Sequence, residues 1–246
     1  MNPHRYLALV SLACCSLLGA FGCRSSSPFA ASFASDEHVG KAGHNRYVTP
    51  ANQILTPAGL QVELPGMRPQ VLALSPDGRI LVTSGKTAEL VVIDPNDGKI
   101  IQRVGLPSET NGVATPDAVS PNILEPDKDG QVSFTGLVFS PHGRRVYLAN
   151  VNGSVKVFGV DDDHKLTPLF TIPLPHVKAV GRTNEIPAGL ALSPDGRKLY
   201  VALNLSNHLG EFDANDGKLL RTWNVGVAPY DVVLVGKKAY VSNWGG

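Results

Sequence analysis

Cysteine is nearly absent from this chain of 246 residues. There are three cysteines, Cys14, Cys15 and Cys23, and none follows them. The rest of the chain therefore has no disulfide framework, no thiol nucleophile and no cysteine-ligated metal site. A domain without disulfides depends on core packing alone for its stability.

An excess of charge of one sign is also lacking. The formal net charge is +1, and charged residues make up 17% of the chain. Proteins that bind nucleic acid usually carry a basic excess, so we predict no nucleic-acid partner. The histidines form no HxH or HExxH pattern, and we predict no metal site, no cofactor and no catalytic residue.

No hydrophobic run at the N-terminus is long enough to span a membrane. Residues 7–21 are apolar and uncharged, but a spanning helix needs about 20 such residues, so this run predicts the core of a signal peptide over residues 1–23. "AFGC" (Ala20–Cys23) resembles a bacterial lipobox, although Ala20 stands where leucine is usual. We predict a lipidated Cys23 and a periplasmic or cell-envelope location, with lipid as the only membrane contact. Simple secretion and a retained anchor are the alternatives.

Residues 24–46 are rich in serine and alanine and have no strand or helix periodicity. This composition predicts a flexible tether between the lipidation site and the folded part of the chain.

What the chain does contain is a repeat. "LALSPDGR" occurs at residues 72–79 and again at 190–197, and "LVFSPHGR" stands at 137–144. The anchor serines of these copies are Ser75, Ser140 and Ser193, and a fourth copy begins at Tyr230. Without the insertions 108–134 and 176–187, the unit is about 40 residues long.

Each copy contains four short runs rich in valine, isoleucine and leucine, bounded by turn residues. In the first copy they are Val71–Leu74, Ile80–Thr83, Leu90–Ile93 and Ile100–Val104. Four strands in about 40 residues are typical of a β-propeller blade. The sequence therefore predicts an all-β fold over residues 47–246, with three to four blades.

Two motifs of the repeat could carry chemistry, but both are better explained as turns. In Ser-Pro-Asp-Gly, proline, aspartate and glycine suit successive positions of a tight turn, and no histidine repeats with Ser75 or Ser193 to make a nucleophile. Asp94–Lys99 and Asp213–Lys218 lack the glycine and glutamate positions of a calcium loop, so we predict hairpin turns.

The repeat also resembles a known family. "SPDGRKLYVA" followed by "EFDANDGKLLRTWNVG" resembles the YVTN-type repeat of YncE-like periplasmic propellers, over residues 47–246. This resemblance implies a seven-bladed ring, of which the chain would form an incomplete part. In a four-bladed alternative, residues 47–66 would complete the last blade.

A second resemblance is more particular. "AYVSNWGG" and "TPANQILTPAG" resemble the propeller half of bacterial proteins that also carry an alkaline-phosphatase-superfamily domain. The resemblance implies that this chain is the N-terminal part of a phosphoesterase.

The candidate ligand-binding residues follow the second strand of each copy. They are Asn150, Asn204 and Asn243, with the neighbouring Trp244. Polar residues at this place can bind a ligand at a propeller channel, although turn capping and packing are the alternative roles.

The insertion 108–134 is the least repetitive part of the folded region. It contains four acidic residues, Asp117, Glu125, Asp127 and Asp129. It is a candidate for binding a partner or capping a ligand, with a disordered surface loop as the alternative.

Two classes of function remain. One is a binding or scaffold propeller, with a protein or small-molecule ligand at its face. The other is an enzyme, either a lactonase-like propeller hydrolase or the accessory half of a phosphoesterase. The innermost strands are almost purely apolar and offer no cluster of acids and histidines, which favours binding.

Overall fold

The computed structural model describes residues 37–109 and 126–245, and every regular element in them is a β-strand. The chain divides between Gly59 and Leu60 into two compact units. No helix in the described part of the chain has the length and apolar character needed to cross a bilayer. Cys23 and the predicted signal peptide lie outside the described residues.

The first unit contains a small antiparallel sheet. Its strands are β1 (Gly40–Gly43), β2 (Arg46–Val48) and β3 (Ile54–Leu55), in that order. Asn45 takes a left-handed conformation with φ 53°, which asparagine tolerates, and so lets β1 and β2 form a hairpin.

This sheet differs from two expectations drawn from the sequence. The segment 24–46, predicted to be a tether, already contains β1 and the first residue of β2. The segment 47–66 was a candidate for completing the last blade, but β2 and β3 pair with each other instead. Strands this short were not detectable from periodicity, because two or three residues do not establish an alternation.

The second unit contains three four-stranded antiparallel sheets, a two-stranded sheet and one inserted hairpin. We call the sheets blades 1 to 4 in chain order. Blade 1 consists of β4 (Pro69–Leu74), β5 (Leu81–Gly85), β6 (Glu89–Ile93) and β7 (Ile100–Gly105). Blade 2 consists of β8 (Val132–Phe139), β9 (Arg145–Asn150), β10 (Ser154–Val160) and β11 (Leu166–Pro173). The hairpin β12 (His176–Ala179) and β13 (Arg182–Asn184) follows. Blade 3 consists of β14 (Pro187–Leu192), β15 (Lys198–Leu203), β16 (His208–Asp213) and β17 (Leu219–Asn224). Blade 4 consists of β18 (Pro229–Val235) and β19 (Lys238–Asn243).

The Ser-Pro-Asp-Gly motifs form turns, as predicted. The Ser75 hydroxyl donates to Asp77 Oδ1 at 2.6 Å and accepts from the backbone N–H of Arg79 and Ile80. Gly78 has φ 73°, a conformation that L side chains rarely adopt. The serine is therefore occupied in holding the turn.

The predicted hairpin turns are also confirmed. Asp94 Oδ1 accepts from the backbone N–H of Asn96 at 2.8 Å, and Asp213 Oδ1 accepts from that of Asn215 at 2.8 Å. Each carboxylate thus caps its own turn, which is a common role of aspartate.

The cores of the second unit lie between successive blades. One apolar cluster joins blades 1 and 2 through residues such as Val92 and Phe158, and another joins blades 2 and 3 through residues such as Val157 and Phe212. The first strands of the four blades, β4, β8, β14 and β18, pack beside one another in chain order. Each blade is therefore stabilised chiefly by its neighbours, as in repeat architectures.

Candidate functional site

The first strand of every blade has a bulge near its beginning. The pairing register shifts between Pro69 and Val71 in β4, and between Pro229 and Asp231 in β18. Equivalent shifts occur in β14 and, over more residues, in β8 between Val132 and Leu137. Because a bulge leaves a residue out of the ladder and bends the strand, it turns side chains away from the sheet.

The bulges bring their side chains to one cavity of about 560 Å³, which we call the axis cavity. Gln70, Phe134, Thr135 and Tyr230 belong to the bulges of three different blades and all line it. Residues from neighbouring loops complete the lining; among them are Lys86 and Gln131. A cavity at which a few polar groups converge among apolar walls is typical of a small-molecule site.

The bulge of β8 is the most distorted of the four. Phe134 has φ 49°, which is unusual for an aromatic residue. A Cβ atom at Gly136 would lie 2.2 Å from Ala149 Cβ and 2.4 Å from the Ala188 carbonyl oxygen. Glycine at this position thus allows β8 to approach β14 closely, next to Phe134, whose side chain lines the axis cavity.

Phe134 contacts two further aromatic side chains. The rings of Tyr230 and Trp244 are stacked, with centroids 4.7 Å apart and an interplanar angle of 18°. Phe134 meets both edge-on, at 5.5 Å from Tyr230 and 5.2 Å from Trp244. Such stacked and edge-on arrangements are favourable for aromatic pairs. Trp244 remains 64% exposed, so the cluster presents an aromatic surface to solvent.

Thr135 is a polar residue of this cavity whose hydroxyl is buried. Its Oγ1 atom is buried and has no hydrogen-bond partner among the described residues. A buried hydroxyl without a partner is costly unless a water or a ligand completes it.

Asn150 bonds to the backbone of Gln131, a residue that lines the axis cavity. It is fully buried, and its Oδ1 accepts from the backbone N–H of Gln131 at 3.0 Å. Its Nδ2 donates to Ser154 Oγ at 3.0 Å and to Glu109 Oε1 at 2.6 Å. Its amide therefore holds the segment that carries Gln131.

The other two predicted asparagines also make contacts within the chain. Asn204 Nδ2 donates to the Pro229 carbonyl at 3.0 Å and so ties blade 3 to the start of β18. Asn243 Nδ2 donates to the Val241 carbonyl at 3.4 Å. Neither residue belongs to the described lining of the axis cavity. A ligand role for the three asparagines stays a prediction, whereas Trp244 lies in the aromatic cluster.

A buried lysine lies next to Asn150. Lys156 is fully buried, and its ammonium lies 2.7 Å from the Pro107 carbonyl, 3.0 Å from Glu109 Oε1 and 3.0 Å from Asp127 Oδ2. Burial alone would raise the pKa of Asp127, but bonds from Lys156 and from backbone N–H groups outweigh it and lower that pKa. The lysine thus joins two parts of the predicted acidic insertion; Asp117 and Glu125 lie outside the described residues.

The charged groups of the axis cavity limit its chemistry. Lys86 contributes a positive charge to the axis cavity, and the described lining of the cavity contains no carboxylate and no histidine. In the described part of the chain, no three histidine, cysteine, aspartate or glutamate side chains are grouped so as to hold a metal ion. The residues present offer hydrogen bonds, one positive charge and aromatic faces.

Comparison with known families adds a relation for part of the chain. Residues 136–228 match the model of a lactonase family with a seven-bladed β-propeller. The matched segment contains most of blade 2 and all of blade 3, which is less than half of the chain. No curated protein matches the chain.

Solved structures with propeller folds resemble the chain. A candidate 6-phosphogluconolactonase from Bacteroides uniformis matches with a TM-score of 0.52 and 20% identity, over 80% of this chain and 56% of that one. The U3-55K structure matches with a TM-score of 0.52 and 10% identity, over 70% and 44% of the two chains. The RRP9 WD40 repeats match with a TM-score of 0.51 and 12% identity, over 70% and 43%. The chain spans about half the length of these structures.

These likenesses confirm the predicted fold. The four-stranded antiparallel sheets are propeller blades, and the fold is that of WD40 and lactonase propellers. At these identities the likeness concerns the fold alone.

Part of the lining, Gln131 to Phe134, lies in the insertion 108–134, which the sequence marked as a candidate for binding, and Trp244 lies beside the cavity. Gln70, Lys86, Thr135 and Tyr230 were not predicted individually. One signal was nevertheless present. Gln70 and Thr135 each stand five residues before the anchor serine of their copy, Ser75 and Ser140. In blades 1 and 2, a polar residue at that offset is a side chain that lines the cavity.

Proposed function

We propose that this propeller is a binding module whose axis cavity takes a small, polar, anionic molecule. The observation that carries this proposal is the convergence of bulge residues from three blades on one cavity, in which the Thr135 hydroxyl lacks a partner. The described lining contains no carboxylate and no histidine, which favours binding over acid–base catalysis.

The chemistry of the lining suggests an acidic or phosphorylated sugar as the ligand class. Lys86 provides a positive charge for a carboxylate or phosphate, and Gln70 and Gln131 can bond to hydroxyl groups. The C–H face of a sugar ring would pack on the aromatic surface of Phe134 and Tyr230. The name of the similar Bacteroides uniformis structure contains such a compound, a phosphorylated gluconolactone.

Calorimetric titration tests this proposal with 6-phosphogluconate, gluconate and glucose as probes. We expect the phosphorylated acid to bind most tightly. Lys86→Gln should weaken its binding about ten- to hundredfold, since a charge-assisted bond is worth about 1.5–3 kcal/mol. Binding of glucose should change little. Lys99→Gln is the matched control, because Lys99 lies in the hairpin turn of blade 1. Equal affinity of both variants for the anion would refute the proposed site.

Lactone hydrolysis is the second candidate function. It is favoured by the family match over residues 136–228. Hydrolysis of 6-phosphogluconolactone by the purified chain, measured as acid release, tests it. If the chain hydrolyses the lactone faster than the spontaneous rate and Lys86→Gln abolishes this activity, the axis cavity is the active site. If the activity is unaffected by Lys86→Gln, the reaction takes place elsewhere.

We further propose that the chain is exported and lipidated at Cys23. The proposal rests on the apolar run and the lipobox-like "AFGC". Incorporation of a labelled fatty acid in a bacterial host should be lost in Cys23→Ala and retained in Cys14→Ala and Cys15→Ala. Label that persists in Cys23→Ala would contradict lipidation at this residue.

A phosphoesterase context is the last proposal and rests only on the sequence resemblance of the segments 49–59 and 239–246. We propose that the propeller acts as the accessory, scaffold part of such an enzyme. The gene's reading frame and hydrolysis of p-nitrophenyl phosphate by its full product test this. A full product without phosphatase activity would contradict the phosphoesterase proposal and leave the proposed ligand binding by the propeller unaffected.

A further inference from the structure

A positive charge follows the turn glycine in each of the four blades. The first and second strands of a blade are joined by a turn whose glycine is left-handed, with φ 73° at Gly78, 72° at Gly143, 69° at Gly196 and 58° at Gly236. The residue after this glycine is a cation in every copy. We call these four residues the cation arc: Arg79, Arg144, Arg197 and Lys237.

Blade 4 shows that the cation does not depend on the rest of the turn motif. Its turn between β18 and β19 consists of Gly236 and Lys237, without the serine and proline of the other copies. The positive charge is nevertheless present at the same place.

The four turns lie next to one another. The first strands of successive blades pack side by side, and their turns come close as well. A Cβ atom at Gly143 would lie 3.6 Å from Pro76 Cδ, and one at Gly196 would lie 3.5 Å from Pro141 Cδ. The blade packing therefore places the four cations in a row at one end of the first strands.

The cation arc is separate from the axis cavity. Gln70 and Tyr230 line that cavity from near the beginnings of β4 and β18. Arg79 and Lys237 follow the ends of the same two strands. A second cavity, of about 480 Å³, lies between blades 1 and 2 at this end, and both Arg79 and Arg144 line it.

The cation arc is exposed and sparsely paired. Among the described residues, Arg79, Arg197 and Lys237 form no ion pair, and all three are exposed. Arg144 binds Asp162 at 2.6 Å, but the two side chains remain 66% and 87% exposed. An ion pair this exposed contributes little, so another anion can replace Asp162 at low cost.

Two carboxylates lie within these turns, at Asp77 and Asp195. Each accepts a hydrogen bond from the serine hydroxyl of its own turn and from the backbone N–H of the following arginine. They reduce the charge of the cation arc without cancelling it, because four cations face two carboxylates.

The turns between the third and fourth strands carry the opposite charge. They lie at the same end of the blades but farther from the first strands, because each blade is an antiparallel sheet with its strands in chain order. We call them the outer turns. In blades 1 to 3 their charged residues are Asp94, Asp97, Lys99, Asp161, Asp162, Asp163, Lys165, Asp213, Asp216 and Lys218. A broad anionic surface would meet these acidic outer turns, whereas a narrow acidic chain can lie on the cation arc alone.

We propose that the cation arc binds an acidic, extended segment of a partner protein. The segment lies along the four turns, and its carboxylates bond to successive cations. Arginine suits this role because its guanidinium can bind a carboxylate through two parallel hydrogen bonds. The aspartates of the outer turns repel the segment from the rim and so keep it on the cation arc.

A fluorescently labelled peptide of alternating glutamate and serine is a suitable probe. Its counterpart with glutamine in place of glutamate is the uncharged control. Fluorescence anisotropy with the full chain at low salt should show saturable binding of the acidic peptide and none of the control peptide. Binding should weaken as the salt concentration rises, because screening reduces the attraction between exposed charges.

Variants of the cation arc should weaken this binding. We expect a loss of about two- to fivefold for Arg79→Gln and for Arg197→Gln, the size of one exposed ion pair. Adding Arg144→Gln to both should increase the loss to about tenfold or more. Lys99→Gln and Lys218→Gln are the matched controls, because these lysines lie in the outer turns of the same two blades. They should leave the affinity unchanged.

Three results would overturn the proposal. Absence of saturable binding at low salt would show that the cation arc does not recognise an acidic chain. Equal losses in the arginine variants and in the lysine controls would show that only the overall charge matters. Vesicles of phosphatidylglycerol that bind more tightly than the peptide, and no longer bind the triple variant, would make an anionic bilayer the partner.

Discussion

At the scale of single residues, Lys156 shows how a buried charge can take an apolar place in a repeat. It occupies the middle of the third strand of blade 2, where Val91 stands in blade 1 and Gly210 in blade 3. Its partners are the carboxylates of Glu109 and Asp127, which lie on either side of residues 110–125. The lysine therefore connects segments that are distant in sequence.

We expect Lys156→Met to lower the free energy of unfolding by about 3–5 kcal/mol, because removing one partner leaves the other buried charge uncompensated. Chemical denaturation measures this. The double variant with Asp127→Asn should regain part of the loss, since asparagine carries no charge. Lys165→Met, at an exposed position, should change stability by less than about 0.5 kcal/mol. Equal effects of Lys156→Met and Lys165→Met would show that the buried ion pair does not contribute to the free energy of unfolding.

A second residue-scale feature is the carboxylate of Asp77, which belongs to the first Ser-Pro-Asp-Gly turn. It accepts a hydrogen bond from Ser75 and another, at 2.9 Å, from His164 Nε2 of blade 2, and both lower its pKa well below the usual 3.8. Because the folded pKa is lowered, this contribution to stability is present above pH 3.8 and is lost as the pH falls below it.

We therefore expect acid unfolding of the wild-type protein to be steeper below about pH 4 than that of Asp77→Asn, which lacks this titrating group. Thermal unfolding at a series of pH values measures it. Asp163→Asn, in the exposed turn of blade 2, should keep the wild-type slope. A slope unchanged by Asp77→Asn would contradict the assignment.

At the scale of strands, the bulges determine which side chains line the axis cavity. The first strands of blades 2 and 3, β8 and β14, are largely buried between neighbouring blades, which favours apolar side chains. The bulge leaves one or more residues outside the ladder, so that Gln70, Thr135 and Tyr230 can turn toward the axis cavity without disturbing the rest of the strand.

Gly136→Ala tests the bulge of β8. The added methyl group would lie within 2.4 Å of Ala149 Cβ and of the Ala188 carbonyl, so we expect a loss of about 1–3 kcal/mol in stability from overpacking. Weaker binding of 6-phosphogluconate should accompany it, because Phe134 and Thr135 move with the strand. Gly159→Ala, whose Cβ would contact only the flexible side chain of Leu169, should be mild. A stable Gly136→Ala variant with unchanged affinity would exclude a role for this bulge.

At the scale of the second unit, stability is shared between neighbouring blades. Phe212 of blade 3 is fully buried in the cluster that includes Tyr147 and Val157 of blade 2. A different cluster joins blade 2 to blade 1. Loss of one cluster should therefore weaken both blades that form it.

We expect Phe212→Ala to lower stability by about 3–5 kcal/mol, through lost burial and the cavity that remains. Hydrogen exchange should become faster in β9 and β10 as well as in blade 3, with a smaller change in β5 and β6. Leu220→Ala, at an exposed position of β17, should have little effect. Faster exchange confined to blade 3 would show that the blades open independently.

The sequence by itself determined the blades and their turns, because both are local. Alternation of apolar residues and the angles required by Pro76, Asp77 and Gly78 act within a few residues, and so they are readable from the sequence. The strands predicted for the first copy agree with β4 to β7 within two residues at each end. The short strands of residues 40–55 were missed because they are too brief to show a pattern.

Only the tertiary structure decided where the candidate site lies. The axis cavity joins residues from Gln70 to Tyr230 through bulges, whose position depends on strand register and on the approach of β8 to β14 at Gly136. The burial of Lys156 depends on two segments that fold back over it. Such contacts between distant residues leave no periodic signal, because packing between blades rather than local conformation produces them.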